Sequence, residues 1–326
     1  MKDWFKTSTQ EKVWRKHCTI CGESFDNWLK EKSYLFPIEM SCSEEIPYNS
    51  KIRTLIEDKK MIHLYDNEIV INLSNYVKAE WKTGFSHVSI SDLKNDLAEM
   101  IIYLSDNIQN NYSLEINIMG YAEMLLKLGI KYGSKKSLTW IKNISFAIIN
   151  SAYNTSANYQ LDNEGLLREF DFYGNDHFDF NLSQSNKGLV LRSGIIHTFE
   201  FNCLAPNYIA EIFGVTNGIQ PISHFHYTVS IKDLNKEVLN YNVFIPILDE
   251  YLDLHDETDK DKLPSYFVTA DRINYEETTA TISAWSKHLT EPLNLEKINN
   301  EFSLDEISDL YLQLKDKDLS GFSITY

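Results

Sequence analysis

Strand-like and helix-like segments alternate along the chain, and this alternation constrains the fold more than any other feature. Residues 69–77, 194–204, 222–231 and 321–326 are β-branched, apolar or alternating, and they predict strands. Apolar residues at helical spacing predict helices after Ser91, over 116–128, over 134–160, and over 275–288 and 303–314. Strands separated by helices favour an α/β architecture with parallel pairing.

The low content of proline and glycine favours long regular elements. Only 7 prolines and 12 glycines occur among 326 residues. The stretches 171–188 and 252–264 are polar or charged and aperiodic, so we expect loops there. We divide the chain into an N-terminal segment, 1–66, and a main region, 67–326.

Charge and composition exclude several classes of protein. Forty-seven acidic against 31 basic residues give a net charge of −16, which disfavours binding to the phosphate backbone of nucleic acids. No run of 18 apolar residues is present, and the N-terminus has no apolar signal-peptide core, so we expect an intracellular, cytoplasmic protein without a membrane span. A hydrophobic content of 43% is that of a globular chain with an ordinary core.

The first chemical motif is Cys18-Thr-Ile-Cys21, with His17 beside it. This spacing suits a zinc ligand pair or a redox dithiol, because it brings two sulfur atoms to one centre. Structural zinc needs four ligands and no second pair is present, so Cys42 and a histidine would have to complete the site. Two unrelated cysteines near the terminus are the simplest interpretation.

Two further patterns place reactive groups two residues apart. His224 and His226 would lie on the same face of a predicted strand, which suits a metal pair but is more typical of packed histidines. Cys42 and Glu44 would project to one side of an extended segment, as a thiol beside a proton acceptor. Neither common nucleotide-binding glycine fingerprint is present.

Several longer blocks carry a family resemblance. NIMGYAEMLLKLGIKYGS (117–134) resembles the "GxMGxADxLxxLGIxYxSxEA" helix of ribonucleotide reductase large subunits. LPSYFVTA (263–270) and AWSKH (284–288) resemble the "LPxYFVTA…AWxKH" segment of that family, and GVTNGIQP (214–221) resembles "AGVSSGIEP". INL (71–73) is similar to the end of "CNLGSINL", and LSGFSITY (319–326) to the closing "GxKGITVYR" strand. The blocks follow the family order from about residue 67 to 326, and the last ones are most similar to the adenosylcobalamin-dependent class.

The resemblance implies a fold and an activity. It implies the C-terminal half of an α/β barrel with surrounding helices, in which a finger loop carries a radical cysteine into the centre. The implied activity makes deoxyribonucleotides from a nucleotide substrate: a thiyl radical abstracts the ribose 3′ hydrogen, a carboxylate takes a hydroxyl proton, and a cysteine pair reduces the 2′ position. Adenosylcobalamin is the cofactor that this class implies.

The motif of the finger loop, N-x-C-x-E, matches in part. Met40-Ser-Cys42-Ser-Glu44 is the candidate segment, so the resemblance makes Cys42 the thiyl residue and Glu44 the base, while Met40 replaces the asparagine. The second redox cysteine of the family falls at Asp66, and Asp66 cannot form a disulfide. We expect no cysteine-bearing tail after Tyr326.

The phosphate-binding motif, "APTGT" or "APTAS", falls at Ala205-Pro206-Asn207-Tyr208-Ile209. The resemblance therefore makes Pro206, Asn207 and Tyr208 the phosphate-binding residues. In the family, small residues and hydroxyls let backbone N–H groups wrap the phosphate at the start of a helix. Tyr208 and Ile209 add bulk and remove a hydroxyl and space.

Only 41 residues precede Cys42, whereas the family has a long N-terminal half there. A half barrel leaves strand edges open, so we expect a separately encoded N-terminal half or self-association to cover them. One hypothesis is a component of a split reductase that is inactive alone. The alternatives are a catalytically inactive homologue acting as a binding or assembly module, and a decayed gene product without a present function.

Overall fold

The computed structural model describes most of the chain from residue 49 onwards. The described residues are 49–64, 67–80, 84–107, 113–163, 181–203, 205–232, 238–255, 263–290, 293–296 and 322–325, with residues 308 and 312. Its helices are α1 (Ser50–Glu57), α2 (Ile90–Asn107), α3 (Tyr121–Lys127), α4 (Lys135–Asp162), α5 (Gln184–Ser193), α6 (Asn207–Phe213), α7 (Pro246–His255) and α8 (Tyr275–Ser286). Its strands are β1 (Met61–Leu64), β2 (Glu68–Asn72), β3 (Val77–Glu80), β4 (Phe85–Val88), β5 (Ser113–Met119), β6 (Thr198–Phe201), β7 (His226–Lys232), β8 (Val238–Phe244), β9 (Leu293–Glu296) and β10 (Phe322–Thr325).

The central sheet has the order β1-β2-β5-β6. The pairs β2–β5 and β5–β6 are parallel, which confirms an α/β architecture with parallel pairing, while β1 joins β2 antiparallel. Within the described residues the other strands form three pairs, β3–β4 and β7–β8 antiparallel and β9–β10 parallel, and the strands do not close into a barrel.

The two faces of the central sheet differ in chemistry because side chains alternate along each strand. One face is apolar and is covered by helices: Tyr153 of α4 contacts the rings of Phe199 and Phe201, and Tyr103 of α2 contacts the ring of His63. The other face carries Glu68 of β2 in register with Glu115 of β5. The helices therefore leave the polar side chains of the sheet on the opposite face.

Two predicted helix starts have different outcomes. Ser134 caps α4 by accepting a hydrogen bond from the backbone N–H of Ser137, so the helix predicted over 134–160 is confirmed. Ser91 is not a cap, because α2 already begins at Ile90. The helix predicted over 275–288 is confirmed as α8, and Asn274 and Glu277 form its capping box.

The helix predicted over 116–128 is wrong in its first part. Residues 116–119 belong to β5, and the helix α3 begins only at Tyr121. Gly120 separates the two elements with a φ of 72°, a left-handed conformation that favours glycine. An added Cβ there would lie 2.5 Å from Oδ1 of Asn72, so the close approach of β2 also requires glycine.

Several predicted strands and loops differ in their bounds from those in the structure. The strand predicted over 194–204 is reduced to β6, and that over 222–231 begins only at His226. The strand predicted over 69–77 ends at Asn72, where a 3-10 helix, Leu73–Tyr76, begins. Both predicted loops are partly helical, because α5 begins at Gln184 and α7 extends to His255. The C-terminal strand is confirmed as β10, parallel to β9, whereas the helix predicted over 303–314 lies almost wholly outside the described residues.

No helix in the described part of the chain has the length and apolar character needed to cross a membrane.

Candidate functional site

The predicted catalytic residues Cys42 and Glu44 lie outside the described residues, as do Cys18 and Cys21 of the possible metal pair. The structure therefore places only the predicted phosphate-binding segment. Pro206 is the N-cap of α6, and Asn207 is the first residue of that helix and is exposed. The backbone of Tyr208 is helical, and its side chain lies outside the described part of the structure.

The turn before α6 is organised by Asn217. Oδ1 of Asn217 accepts a hydrogen bond from the backbone N–H of Ala205 at 2.8 Å, and its Nδ2 donates to Oδ1 of Asn207 at 2.5 Å. Asn217 itself is held beside the end of β5 by a bridge to Met119. The protein's own side chains thus fix the backbone of the predicted phosphate segment.

The neighbouring segment is fixed by a buried carboxylate. Glu123 of α3 accepts hydrogen bonds from the backbone N–H and the hydroxyl of Thr216, at 2.9 and 2.8 Å. Burial raises the pKa of Glu123, and the hydrogen bonds from Thr216 oppose that rise. Glu123 therefore acts as a structural link between α3 and the segment that carries Asn217.

A second polar group lies on the face of the central sheet opposite to α2 and α4. We call it the Glu68–Glu115 site; it consists of Glu68, Glu115, Asn117 and Asn202. Nδ2 of Asn117 donates to Oε1 of Glu68 and to Oε1 of Glu115, both at 2.9 Å. The two carboxylate oxygens therefore lie no farther apart than twice that distance. Nδ2 of Asn202 also donates to Oε1 of Glu115 at 2.9 Å.

The regular register of the parallel strands produces this site. Glu68 pairs with Glu115, and Val70 pairs with Asn117, so the acids and Asn117 project to the same face. Asn202 directly follows β6, and its backbone N–H donates to the carbonyl of Ile116, which aligns it with Asn117. Rigid strands thus hold all four side chains.

The surroundings of Glu68 change the pKa of its carboxyl group. Burial, and secondarily the charge of Glu115, raise the pKa of Glu68 to about 7, while the hydrogen bond from Asn117 opposes the rise. Glu68 is therefore near the midpoint of its titration at neutral pH. Such a carboxyl is suited to accept or donate a proton, and its conjugate base to bind a cation.

The amide oxygens of the site have no protein partner. Oδ1 of Asn117 and Oδ1 of Asn202 are buried, and neither accepts a hydrogen bond from any described residue. Buried polar atoms are rarely left in this state, because an unmade hydrogen bond is unfavourable by about 1–3 kcal/mol. The site therefore has unused acceptor capacity beside two acids.

The other candidate residues are not arranged for metal binding or nucleophilic attack. His224 precedes β7 and His226 begins it, so the two do not share one strand face as predicted, and both are exposed. Within the described ranges, no three His, Cys, Asp or Glu side chains form a group that could hold a metal ion. Cys203 is buried, and burial raises its pKa, so its thiol stays protonated at neutral pH.

His197 is a buried histidine between two hydroxyls, and its hydrogen bonds exclude it as a base toward one of them, Ser105. The hydroxyl oxygen of Ser156 already accepts from the backbone N–H groups of Ile196 and His197, so its own hydrogen must be donated to Nδ1 of His197. Nε2 then carries the ring proton and donates to Oγ of Ser105, which in turn donates to the carbonyl of Ile101. The imidazole is thus a donor to Ser105 and cannot take its proton.

Sequence reasoning missed the whole Glu68–Glu115 site, although a signal for it was present. Leu114, Ile116 and Ile118 alternate with Glu115 and Asn117, which is the period of a strand with one polar face. The apolar residues that follow Gly120 continued the apolar pattern and favoured a helix instead.

No protein-family model matches the chain, and no curated protein matches it either.

Proposed function

We propose that this chain is a ribonucleotide reductase large-subunit-like protein that works as one component of a split reductase. The proposal rests on the resembling blocks and on one structural observation that supports it. Blocks that lie far apart in the sequence pack directly against one another in the fold. Contacts between these distant segments support the proposal that they form one structural framework like that of the family.

Aromatic contacts join the first block to the others. The ring of Tyr121, in the 117–134 block, meets the ring of Trp285, in the 284–288 block, edge to face with centroids 5.4 Å apart. Tyr132 of the same block donates its hydroxyl to the carbonyl of Ile219, in the 214–221 block, at 2.6 Å. Three separate segments therefore meet around two tyrosines.

Backbone approaches extend this arrangement. The ring of Tyr266, in the 263–270 block, lies beside Gly129 of the 117–134 block, 3.8 Å from the position that a Cβ would take there. Glu123 binds Thr216 of the 214–221 block through both of its carboxylate oxygens. The packing of all four blocks is what the proposed homology requires.

In the proposed reaction Cys42 carries the radical and Glu44 accepts the proton, and the 205–208 segment binds phosphate. Adenosylcobalamin, when bound, would supply the radical to Cys42. No described residue is assigned to hold it, because Cys42 and the segment around it lie outside the described residues. A separately encoded N-terminal half, or a second copy of the chain, would complete the barrel.

A second candidate function is favoured by the turn before α6. There Oδ1 of Asn217 accepts the hydrogen bond of the Ala205 backbone N–H, a donor that a phosphate-binding turn would keep for its ligand. Together with Asp66 in place of a redox cysteine, this arrangement suits an inactive homologue that acts as a binding or assembly module.

A reconstitution assay tests the proposal. The purified chain is incubated with ribonucleoside diphosphates or triphosphates, adenosylcobalamin and dithiothreitol, either alone or with the N-terminal half of an adenosylcobalamin-dependent reductase as a separate chain. Deoxyribonucleotides are measured by chromatography. We expect no product from the chain alone and product from the pair.

The outcomes distinguish the two candidates. Robust product from the chain alone would contradict the need for a partner. Stable binding to a reductase chain without any product would support the binding module and exclude the catalytic role.

A further inference from the structure

The outer side of α4, over its first turns, carries positive charge in a strongly acidic protein. Lys135, Lys136 and Lys142 are exposed, and none of them forms an ion pair with a described residue. Lysines on other elements do pair with acids, as Lys51 of α1 does with Glu99. The chain has a net charge of −16, so a group of three lysines without acidic neighbours contrasts with its overall charge.

Two of these lysines oppose the electrostatics of their own helix. Lys135 and Lys136 are the first two residues of α4, whose first turn contains no acid. The N-terminus of a helix carries partial positive charge, so acids stabilise it and lysines do not. Acids do occupy the first turns of α2, α7 and α8. A negatively charged partner would give both lysines the favourable neighbour that α4 itself lacks.

An apolar side chain lies at the end of the same line of residues. Lys135, Thr139, Lys142 and Phe146 are spaced by about one helical turn each, so they form a line about 16 Å long on α4. Phe146 is 43% exposed, whereas the opposite side of the helix is buried in the core. We call these four residues and Lys136 the Lys135–Phe146 ridge.

We propose that the Lys135–Phe146 ridge docks an acidic amphipathic segment of a partner protein, whose carboxylates pair with the lysines and whose apolar side chain packs on Phe146. Exposed ion pairs are individually weak, and burial of an apolar side chain next to them adds to the affinity. The inference does not depend on the proposed reductase function.

A protein segment fits this surface better than a nucleic acid or an anionic membrane does. Either polyanion would extend beyond a ridge of about 16 Å. It would then meet a protein surface of net charge −16, which repels it. The carboxylates of a protein segment can instead be confined to the positions that face the three lysines.

A labelled peptide tests the proposal on the full chain. The probe is a fluorescein-labelled synthetic helix of Glu, Ala and Leu, with glutamates at i, i+4 and i+7 and a leucine at i+11. Fluorescence anisotropy follows binding in about 0.05 M and about 0.3 M KCl, since salt screens exposed ion pairs. We expect one peptide per chain and weaker binding at the higher salt concentration.

Chemical coupling locates the bound peptide. A carbodiimide joins lysine amines directly to carboxylates, and mass spectrometry of the digested product identifies the lysine. We expect the coupled lysines to be those of the ridge, Lys135, Lys136 and Lys142.

Two triple variants with equal change of charge separate local pairing from the overall charge. Replacement of the three ridge lysines by glutamine is expected to weaken binding about tenfold or more, because three exposed ion pairs are lost. The control replaces by glutamine three bases that lie outside the ridge and have no ion pair with a described residue: Lys94, Arg192 and Arg272. It should change the affinity less than about twofold. Phe146→Ala should weaken binding about threefold or more through lost apolar contact.

Three results would overturn the proposal. The first is the lack of saturable peptide binding to the unmodified chain at about 1 mM peptide, which corresponds to a very weak complex. The second is an equal loss of affinity in the two triple variants, since the peptide would then sense only the overall charge. The third is binding of single-stranded DNA or phosphatidylserine vesicles that the ridge variant abolishes, without binding of the peptide, because the ridge would then serve a phosphate-bearing partner.

Discussion

At the scale of single residues, His197 shows how hydrogen-bond donors and acceptors fix a protonation state. Its Nδ1 accepts from Ser156, so a second ring proton would have no acceptor. Burial lowers the pKa of His197 from 6.5 to about 4. The unfolded chain therefore takes up a proton at this histidine before the folded chain does.

We predict that His197 makes the protein less stable in acid. The free energy of unfolding should fall by about 3 kcal/mol as the pH drops from about 6.5 to about 4, because only the unfolded state is protonated in that range. Urea unfolding across this range, with His197→Gln and with exposed His224→Gln, measures the effect. The slope should flatten in the first variant only; equal slopes in both would refute the assignment.

Glu68 changes the stability of the protein with pH in the opposite direction to His197. Its pKa is raised from 4.5 to about 7, so the folded state holds the proton more tightly, and stability from this group is present below about pH 4.5 and is lost as the pH rises through about 7. The lost stability is at most about 3 kcal/mol. The amide of glutamine cannot ionise, so we expect Glu68→Gln to be more stable than the unmodified chain at about pH 8.

The measurement is urea unfolding at about pH 5 and about pH 8. Glu57→Gln is the control, since its side chain is exposed. A Glu68→Gln variant that is less stable than the unmodified chain at the higher pH would show that the carboxylate itself stabilises the site.

At the scale of elements, the backbone conformation and the surroundings of a glycine decide whether a larger residue fits there. Gly120 has positive φ and touches Asn72, whose oxygen accepts from the backbone N–H and the hydroxyl of Ser74. Gly188 lies inside α5, and an added Cβ there meets nothing within 4 Å. The same substitution therefore has opposite consequences at the two sites.

We predict that Gly120→Ala destabilises the fold by more than about 2 kcal/mol, because it adds a left-handed alanine and a steric overlap. Gly188→Ala should stabilise it by about 0.5–1 kcal/mol through helix propensity. Thermal and urea unfolding of both variants provide the comparison. A neutral Gly120→Ala would mean that β2 and β5 approach less closely than the structure has them.

Elements were predictable where a local rule decides them and not where a tertiary contact does. Ser134 caps its helix by a hydrogen bond within one turn, so its neighbours in the sequence carry the whole signal. The end of β5 is set by its pairing with β2, and only Gly120 marks it locally. The Glu68–Glu115 site needs three strands in register, and its two acids are 47 positions apart in the sequence, so no short motif encodes it.

At the scale of the whole molecule, the residues of the proposed chemistry and those of the described core come from different parts of the chain. Cys42 and Glu44 were selected by resemblance and lie outside the described residues. Cys203, in contrast, lies in the buried core after β6. The chain therefore offers two cysteines with distinct expected roles.

We predict that Cys42→Ala abolishes turnover in the reconstituted pair, because no other side chain replaces a radical thiol. Cys203→Ala should retain turnover and lose about 1–2 kcal/mol of stability through the cavity that it leaves. Deoxyribonucleotide formation is measured beside thermal unfolding of each variant. Turnover that persists in Cys42→Ala would remove this cysteine from the mechanism.

The single amide nitrogen that joins Glu68 to Glu115 has a consequence for how this protein can evolve. Loss of Asn117 alone leaves two adjacent carboxylates without the donor that they share, and loss of one acid leaves a buried N–H without an acceptor. Single replacements that remove the donor at position 117, or the acceptor oxygen at position 68 or 115, are therefore unfavourable, whereas coordinated ones are tolerated. Homologous sequences should therefore vary at these three positions together, although the positions lie on two different strands.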